Sequence, residues 1–235
     1  MYFGAIRTLA AALSLAFFLL SAEEPDSATV IRNIDAANYV RYGNILGFTV
    51  TEHYSVFRGK DETHPAAEMT VKTTYKKGAG KSYTILSQSG SRAIHEFGLL
   101  PLLDHEKRIN DPASVESTWF TSANFLMKLK PGVTRTIDGH NCIALAITPR
   151  HKAPNMIDGT LWVDERDNAL VEVEGVASRN PSVFSGTTKM MRHYANVSGY
   201  PMATHSRAES NSFLFGRTVV LIDYTGYEIQ LRPTP

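Results

Sequence analysis

Glu68-Met69-Thr70-Val71-Lys72-Thr73-Thr74-Tyr75-Lys76 alternates strictly, with Met69, Val71, Thr73 and Tyr75 on one parity and Glu68, Thr70, Lys72, Thr74 and Lys76 on the other. Successive side chains of a strand point to opposite faces, so this stretch reads as a strand with one apolar and one solvated side. Lys77-Gly78-Ala79-Gly80 supplies a turn, and Lys81 to Ser89 returns as the next strand. Upstream, in residues 44–58, Leu46, Phe48, Val50, Tyr54 and Val56 share a parity against Gly47, Thr49, Thr51, His53 and Ser55, with Glu52 as the one interruption. Three antiparallel strands in succession follow, each apolar on one side only.

The same alternation recurs over 122–129, 134–138, 142–148, 159–164, 170–178, 189–198, 202–212 and 218–231, with turn residues such as Asp138-Gly139, Asp167-Asn168 and Gly199-Tyr200-Pro201 between strands. Two segments keep a helical spacing instead. In residues 27–42, Val30, Ile34 and Ala37 recur every three or four positions, Ser27 is the expected cap, and Gly43 marks the end. In residues 92–108 the stripe is Ile94, Phe97, Leu100 and Leu103, with Pro101 expected to kink or split the helix. A further short helical turn or loop begins at Asp111-Pro112. About eleven strands of regular spacing and two or three helices predict a mainly β fold: one curved antiparallel sheet, an open half-barrel covered by the helices. Its interior is either filled with side chains or left as an apolar cavity. Neither a composition shift nor a linker divides the chain after residue 43, so residues 23–235 read as a single domain.

The chain has 235 residues, 43% apolar, with 24 Lys and Arg against 23 Asp and Glu. Near-neutral charge without a basic run disfavours a nucleic-acid partner. Residues 1–22 have the layout of a signal peptide: Arg7, an apolar run from Leu9 to Leu20, then Ser21-Ala22 before Glu23-Glu24-Pro25. A run of about 12 residues is too short to cross a bilayer. The chain is therefore expected to be exported, with membrane anchoring if the signal stays uncleaved. Removing Arg7 leaves 23 basic and 23 acidic residues. Cys142, the single cysteine, falls in an expected strand and reads as a small buried hydrophobe.

Motifs for catalysis and metal binding are not completed. His95-Glu96 lacks a second histidine because Leu99 stands four positions on, and Gly80-Lys81-Ser82 lacks the upstream glycine of a phosphate loop, Tyr75 holding that place. The eight histidines are scattered singly, and they read as solvated or structural. No catalytic residue, metal or cofactor is expected. An enzyme would need Glu52, His53 and another histidine to converge. Glu52 falls on the apolar parity of its strand, so it either meets a base such as Arg41 or a histidine, contacts a polar ligand group, or is turned outward by a bulge.

The export signal, the amphipathic helix, Thr51-Glu52-His53-Tyr54, the helical insertion and the segment Asp158-Gly159-Thr160-Leu161-Trp162-Val163-Asp164 followed by Leu170-Val171-Glu172-Val173-Glu174-Gly175 resemble bacterial outer-membrane lipoprotein-sorting proteins of the LolA/LolB-like superfamily. The resemblance implies an open half-barrel closed by helices. It also implies a periplasmic, non-enzymatic carrier that binds an acyl chain or other lipid or lipoprotein moiety, as a monomer serving outer-membrane biogenesis. The ligand face it implies comprises Leu46, Phe48, Val50, Glu52, Met69, Val71, Phe125 and Met127, with Phe97, Leu100 and Leu103 on the lid. A protein-binding module is the alternative, similar to the periplasmic regulators of envelope stress, with an envelope protein as partner.

Overall fold

The computed structural model describes residues 26–153, 155–179, 186–212 and 216–233; the expected signal peptide lies outside the described residues. Strands β1 (Ile45–Arg58), β2 (Ala67–Lys76) and β3 (Gly80–Gly90) form a first antiparallel meander. The chain then crosses to the far edge and runs back through β4 (Phe125–Ile137), β5 (His140–Pro149), β6 (Ile157–Asp164), β7 (Leu170–Ala177), β8 (Thr188–Val197), β9 (Tyr200–Ser212) and β10 (Gly216–Leu231). Strand β10 pairs with β1, which gives one ten-stranded sheet of order β3-β2-β1-β10-β9-β8-β7-β6-β5-β4. Strands β3 and β4 are its free edges, so the sheet is open, as the alternation implies.

Ten strands replace about eleven because 122–129 and 134–138 belong to one strand. Pro131-Gly132 resembles a turn in sequence, yet in β4 it is a bulge: the pairing with β5 shifts between Leu129 and Thr134, and Gly132 takes φ +68°. An edge strand tolerates this, since a proline without an N–H loses no ladder bond on the open side.

Both helical segments pack on one side of the sheet, its inner face. Helix α1 (Ser27–Asn44) is capped by Asp26 rather than by Ser27: the Asp26 carboxylate accepts the amides of Ala28 and Thr29 at 3.3 and 3.0 Å. Its buried residues Val30 and Ile34 join Phe125, Leu129, Leu145, Ile147, Leu161 and Val173 in one apolar cluster over β4–β7. The crossing segment is a lid of three parts: α2 (Arg92–Ile94), a π-helical turn (His95–Leu99) and α3 (Leu100–Ile109). Leu99 and Leu103 of the lid bury against Tyr54, Met69 and Val71 of β1 and β2 in a second cluster. Each such side chain contributes about 1.5–3 kcal/mol on burial. A turn of 3-10 helix (Val115–Thr118) then leads to β4.

The π-helical turn corrects the expected lid stripe. A π turn holds more residues than an α turn, so the face C-terminal to it is rotated relative to the simple three-or-four spacing. Ile94, Leu100 and Leu103 still reach the sheet side, but Leu99 takes the buried place and Phe97 is left 81% exposed. Pro101 does not break the lid midway. It stands in the first turn of α3, where its missing N–H has little to lose.

Candidate functional site beneath the lid

Between the two apolar clusters the inner face becomes polar. Glu52 lies on the inward parity of β1 at 4% exposure, so no bulge turns it out, and the Tyr54 hydroxyl two residues on donates to its carboxylate. Lys81, at the start of β3, directs its Nζ to Oε2 of Glu106 on α3 at 3.1 Å. Their side chains are 17% and 25% exposed. Tyr224 of β10 stands opposite Glu52, and Ser206 of β9 opposite Ile222 and Arg192. Arg192 Nε donates to Ser206 Oγ at 2.8 Å, and that oxygen lies 3.5 Å from the Tyr224 hydroxyl. The belt thus carries two carboxylates, two cations and several phenols.

Its electrostatics are internally balanced. Burial opposes the charge of Lys81, but Glu106 and Glu52 outweigh it and hold the ammonium above its usual range. Burial likewise opposes ionisation of Glu106, and Lys81 with Arg192 reverses the effect, holding the carboxyl below its usual range. Burial pushes the phenols of Tyr54, Tyr194, Tyr224 and Tyr227 upward. That direction keeps them protonated and disfavours a nucleophile or base at neutral pH. The gap bounded by Glu52, Thr73, Lys81, Leu103 and Glu106 holds only about 10 Å³, roughly one water.

Several residues of the expected ligand face meet here, and others do not. Glu52, Met69, Val71, Leu100 and Leu103 converge beneath the lid. Phe125 and Met127 belong to the other cluster, under α1. Phe48 stacks on Tyr75 at 5.2 Å and meets the Tyr227 ring edge-on at 5.9 Å, Val50 is buried, and Leu46 is half-buried. Phe97 faces solvent. Lys81, Glu106, Arg192 and Tyr224 escape the sequence reading, although Arg192 carries the same signal as Glu52: a charge on the inward parity, between Met190 and Tyr194.

Three solved structures match parts of this chain's fold at low identity. A LolA superfamily protein from Nitrosomonas europaea matches with 13% identity and a TM-score of 0.46, over 89% of this chain and 94% of its own. A domain provisionally described as outer-membrane lipoprotein-sorting, from Vibrio parahaemolyticus, matches with 13% identity and a TM-score of 0.47, over 87% and 92%. The chain is similar in structure to LolA-superfamily proteins. The MucA/MucB complex of Pseudomonas aeruginosa supplies a more distant match, at 10% identity and a TM-score of 0.25 over 86% and 94%. No family model matches the chain, and no curated protein matches it. The chemistry of the site rests on its own residues.

The outer face explains the remaining candidates. His53 neighbours Glu52 in sequence and therefore points to the opposite face, where its Nε2 lies 3.3 Å from Glu68. Glu52 and His53 thus do not converge. Strand register places Glu172, His193, His205, Asp223 and His53 directly opposite one another in a cross-strand row, with His193 3.0 Å from Glu172 and His205 2.7 Å from Asp223. Among the described residues no group of three His, Cys, Asp or Glu is placed to hold a metal ion. Cys142 is buried in an outer-face cluster with Ala144, Trp162 and Val171, and burial pushes its thiol upward. Asp164, from the segment that carries the family resemblance, caps the β6–β7 turn, accepting from Arg166 and lying 2.6 Å from His140. Among the described residues no helix is long and apolar enough to cross a membrane.

Proposed function

We propose that the chain is an exported, non-enzymatic carrier that takes a lipid, with an acyl chain and a polar head, between the lid and the inner face. The observation that carries this reading is the belt of Glu52, Lys81, Glu106 and Arg192 set between two apolar clusters beneath a helical cover. Buried ion pairs are poor scaffold, since apolar residues of similar volume stabilise as well or better. In a ligand face the same groups can meet a polar head while the flanking clusters take methylenes at about 0.8 kcal/mol each.

The closed state has no room for such a ligand: about 10 Å³ stands beneath the lid, against roughly 300 Å³ or more for a small-molecule pocket. Binding therefore requires the lid to lift. What resists lifting is Lys81–Glu106, the Tyr83 hydroxyl to Asp104 at 2.8 Å, His95 Nε2 to the Ser89 carbonyl at 2.8 Å, and the burial of Leu99 and Leu103. Mass spectrometry of lipids extracted from the purified protein, with titration by a fluorescent fatty acid, tests the reading. Recovered lipid, and faster probe uptake in Glu106→Gln, are expected. No lipid and no probe binding would sink it.

A second reading, a module that holds an envelope protein, is favoured by the free edge β3, where Ile85 and Leu86 are 37% and 56% exposed. An extended segment could add to that edge as another strand. Capture of a membrane protein's exported segment, lost on a Leu86→Lys substitution, would support it.

A further inference from the structure

Outside the space beneath the lid, a second cleft of about 250 Å³ opens between the C-terminal half of α3, the 3-10 turn and the β5–β6 connection. It joins two basic tracts far apart in sequence, His105-Glu106-Lys107-Arg108 and Arg150-His151-Lys152. Glu106, the one acid of these tracts, is turned inward to Lys81, so its charge does not offset the cleft's cations. Arg150 is engaged by the Ser122 carbonyl at 2.9 Å. The side chains of Arg108 and His151 line the cleft without a hydrogen bond or ion pair among the described residues.

The other groups divide by what they can offer. Thr118 and Ser117 donate their hydroxyls to the carbonyls of Val115 and Ser114, at 2.7 and 2.6 Å. The remaining donors on the lining are Arg108, His151, the imidazole of His105, the Ser114 hydroxyl and the Asn155 amide. Nε2 of His105 is buried without a partner among the described residues. The acids of the adjoining turn are Asp111, whose carboxylate accepts the Ala113 amide at 2.9 Å, and exposed Glu116. Ile109 and Ala153 add apolar lining. A guanidinium beside imidazoles, with free donors and room beyond a bare ion, matches a phosphate carrying a small organic body.

We propose that this cleft is a binding site for a phosphate ester, bridging the lid to the β5–β6 connection. The group recognised is the same whether it comes as a soluble ester or as a phospholipid headgroup. The site does not depend on the carrier reading, because it lies outside the space beneath the lid.

Calorimetric titration of the full chain with glycerol 3-phosphate, and co-sedimentation with phosphatidylglycerol or phosphatidylcholine vesicles, test it. Arg108→Ala/His151→Ala should weaken phosphate binding by at least about tenfold, while Lys72→Ala, on the outer face of β2, leaves it unchanged. Circular dichroism checks that both variants are folded. Binding of the ester without vesicle retention assigns a soluble ligand; retention on phosphatidylglycerol vesicles that the double variant loses assigns a headgroup. Binding of neither, or binding that the double variant leaves intact, overturns the proposal. Fatty-acid probe uptake beneath the lid should not change in the double variant, so failure here and failure of the carrier reading are separable.

Discussion

Lys81 and Glu106 show what a charge on the inward parity costs and what offsets it. Lys81→Met leaves Glu106 in its recess with Arg192 as its remaining strong cation, and a loss of about 2–4 kcal/mol in urea unfolding is expected. The double variant Lys81→Met/Glu106→Leu should lose less than the sum of the single changes, by about 1–3 kcal/mol, because neither charge is then stranded. If the two changes add, the pair does not latch the lid. Tyr54→Phe removes the donor that Glu52 accepts, at an expected cost of about 1–3 kcal/mol by the same measurement. Glu52 was legible as an anomaly from its parity alone. Its neighbours were not, because alternation tells which side of a strand a residue takes and says nothing of which distant strand or helix it will face.

The lid carries its own test of phase. Leu99→Ala should cost about 2–5 kcal/mol, since Leu99 is buried against β1 and β2. Phe97→Ser, at a position 81% exposed, should leave the urea midpoint within about 0.5 kcal/mol of the parent. The opposite ranking would restore the uninterrupted helical stripe. Most strands were readable because their inner face is apolar and their outer face solvated over many residues. The features that were not readable are those in which extra residues change the phase: the π-helical turn at His95–Leu99, and the bulge at Pro131-Gly132, where four residues between Leu129 and Thr134 face Ala144 alone. Both resemble familiar punctuation in sequence, a kinked helix and a turn, and only packing against the sheet decides otherwise.

Across the whole molecule, stability should be acid-sensitive with a definite sign. Asp164 is held well below the usual carboxylate range by the Arg166 side chain first, then by the Arg166 amide and His140. Arg207 and Arg217 draw Glu62 down to about 2. Folded values below the unfolded ones, about 4, mean that these carboxylates stabilise the fold when ionised. Their contribution is complete above about pH 5 and is lost as pH falls toward the folded values. The urea midpoint should therefore fall between about pH 5 and pH 3, and Asp164→Asn should flatten that slope. A midpoint that rises on acidification would contradict this.

The seam between β1 and β10 sets the order in which the molecule can be made. Ile45 stands opposite Leu231 and Arg58 opposite Thr218, so the first strand waits for the last before its edge is satisfied. Loop closure over such a span is slow. A chain ending before residue 216 should expose the β1 edge and show protease sensitivity and no cooperative unfolding. For a polypeptide threaded through a membrane before it folds, this topology delays completion until the final strand has emerged, so the same seam that joins the two meanders would also time the fold to the far side.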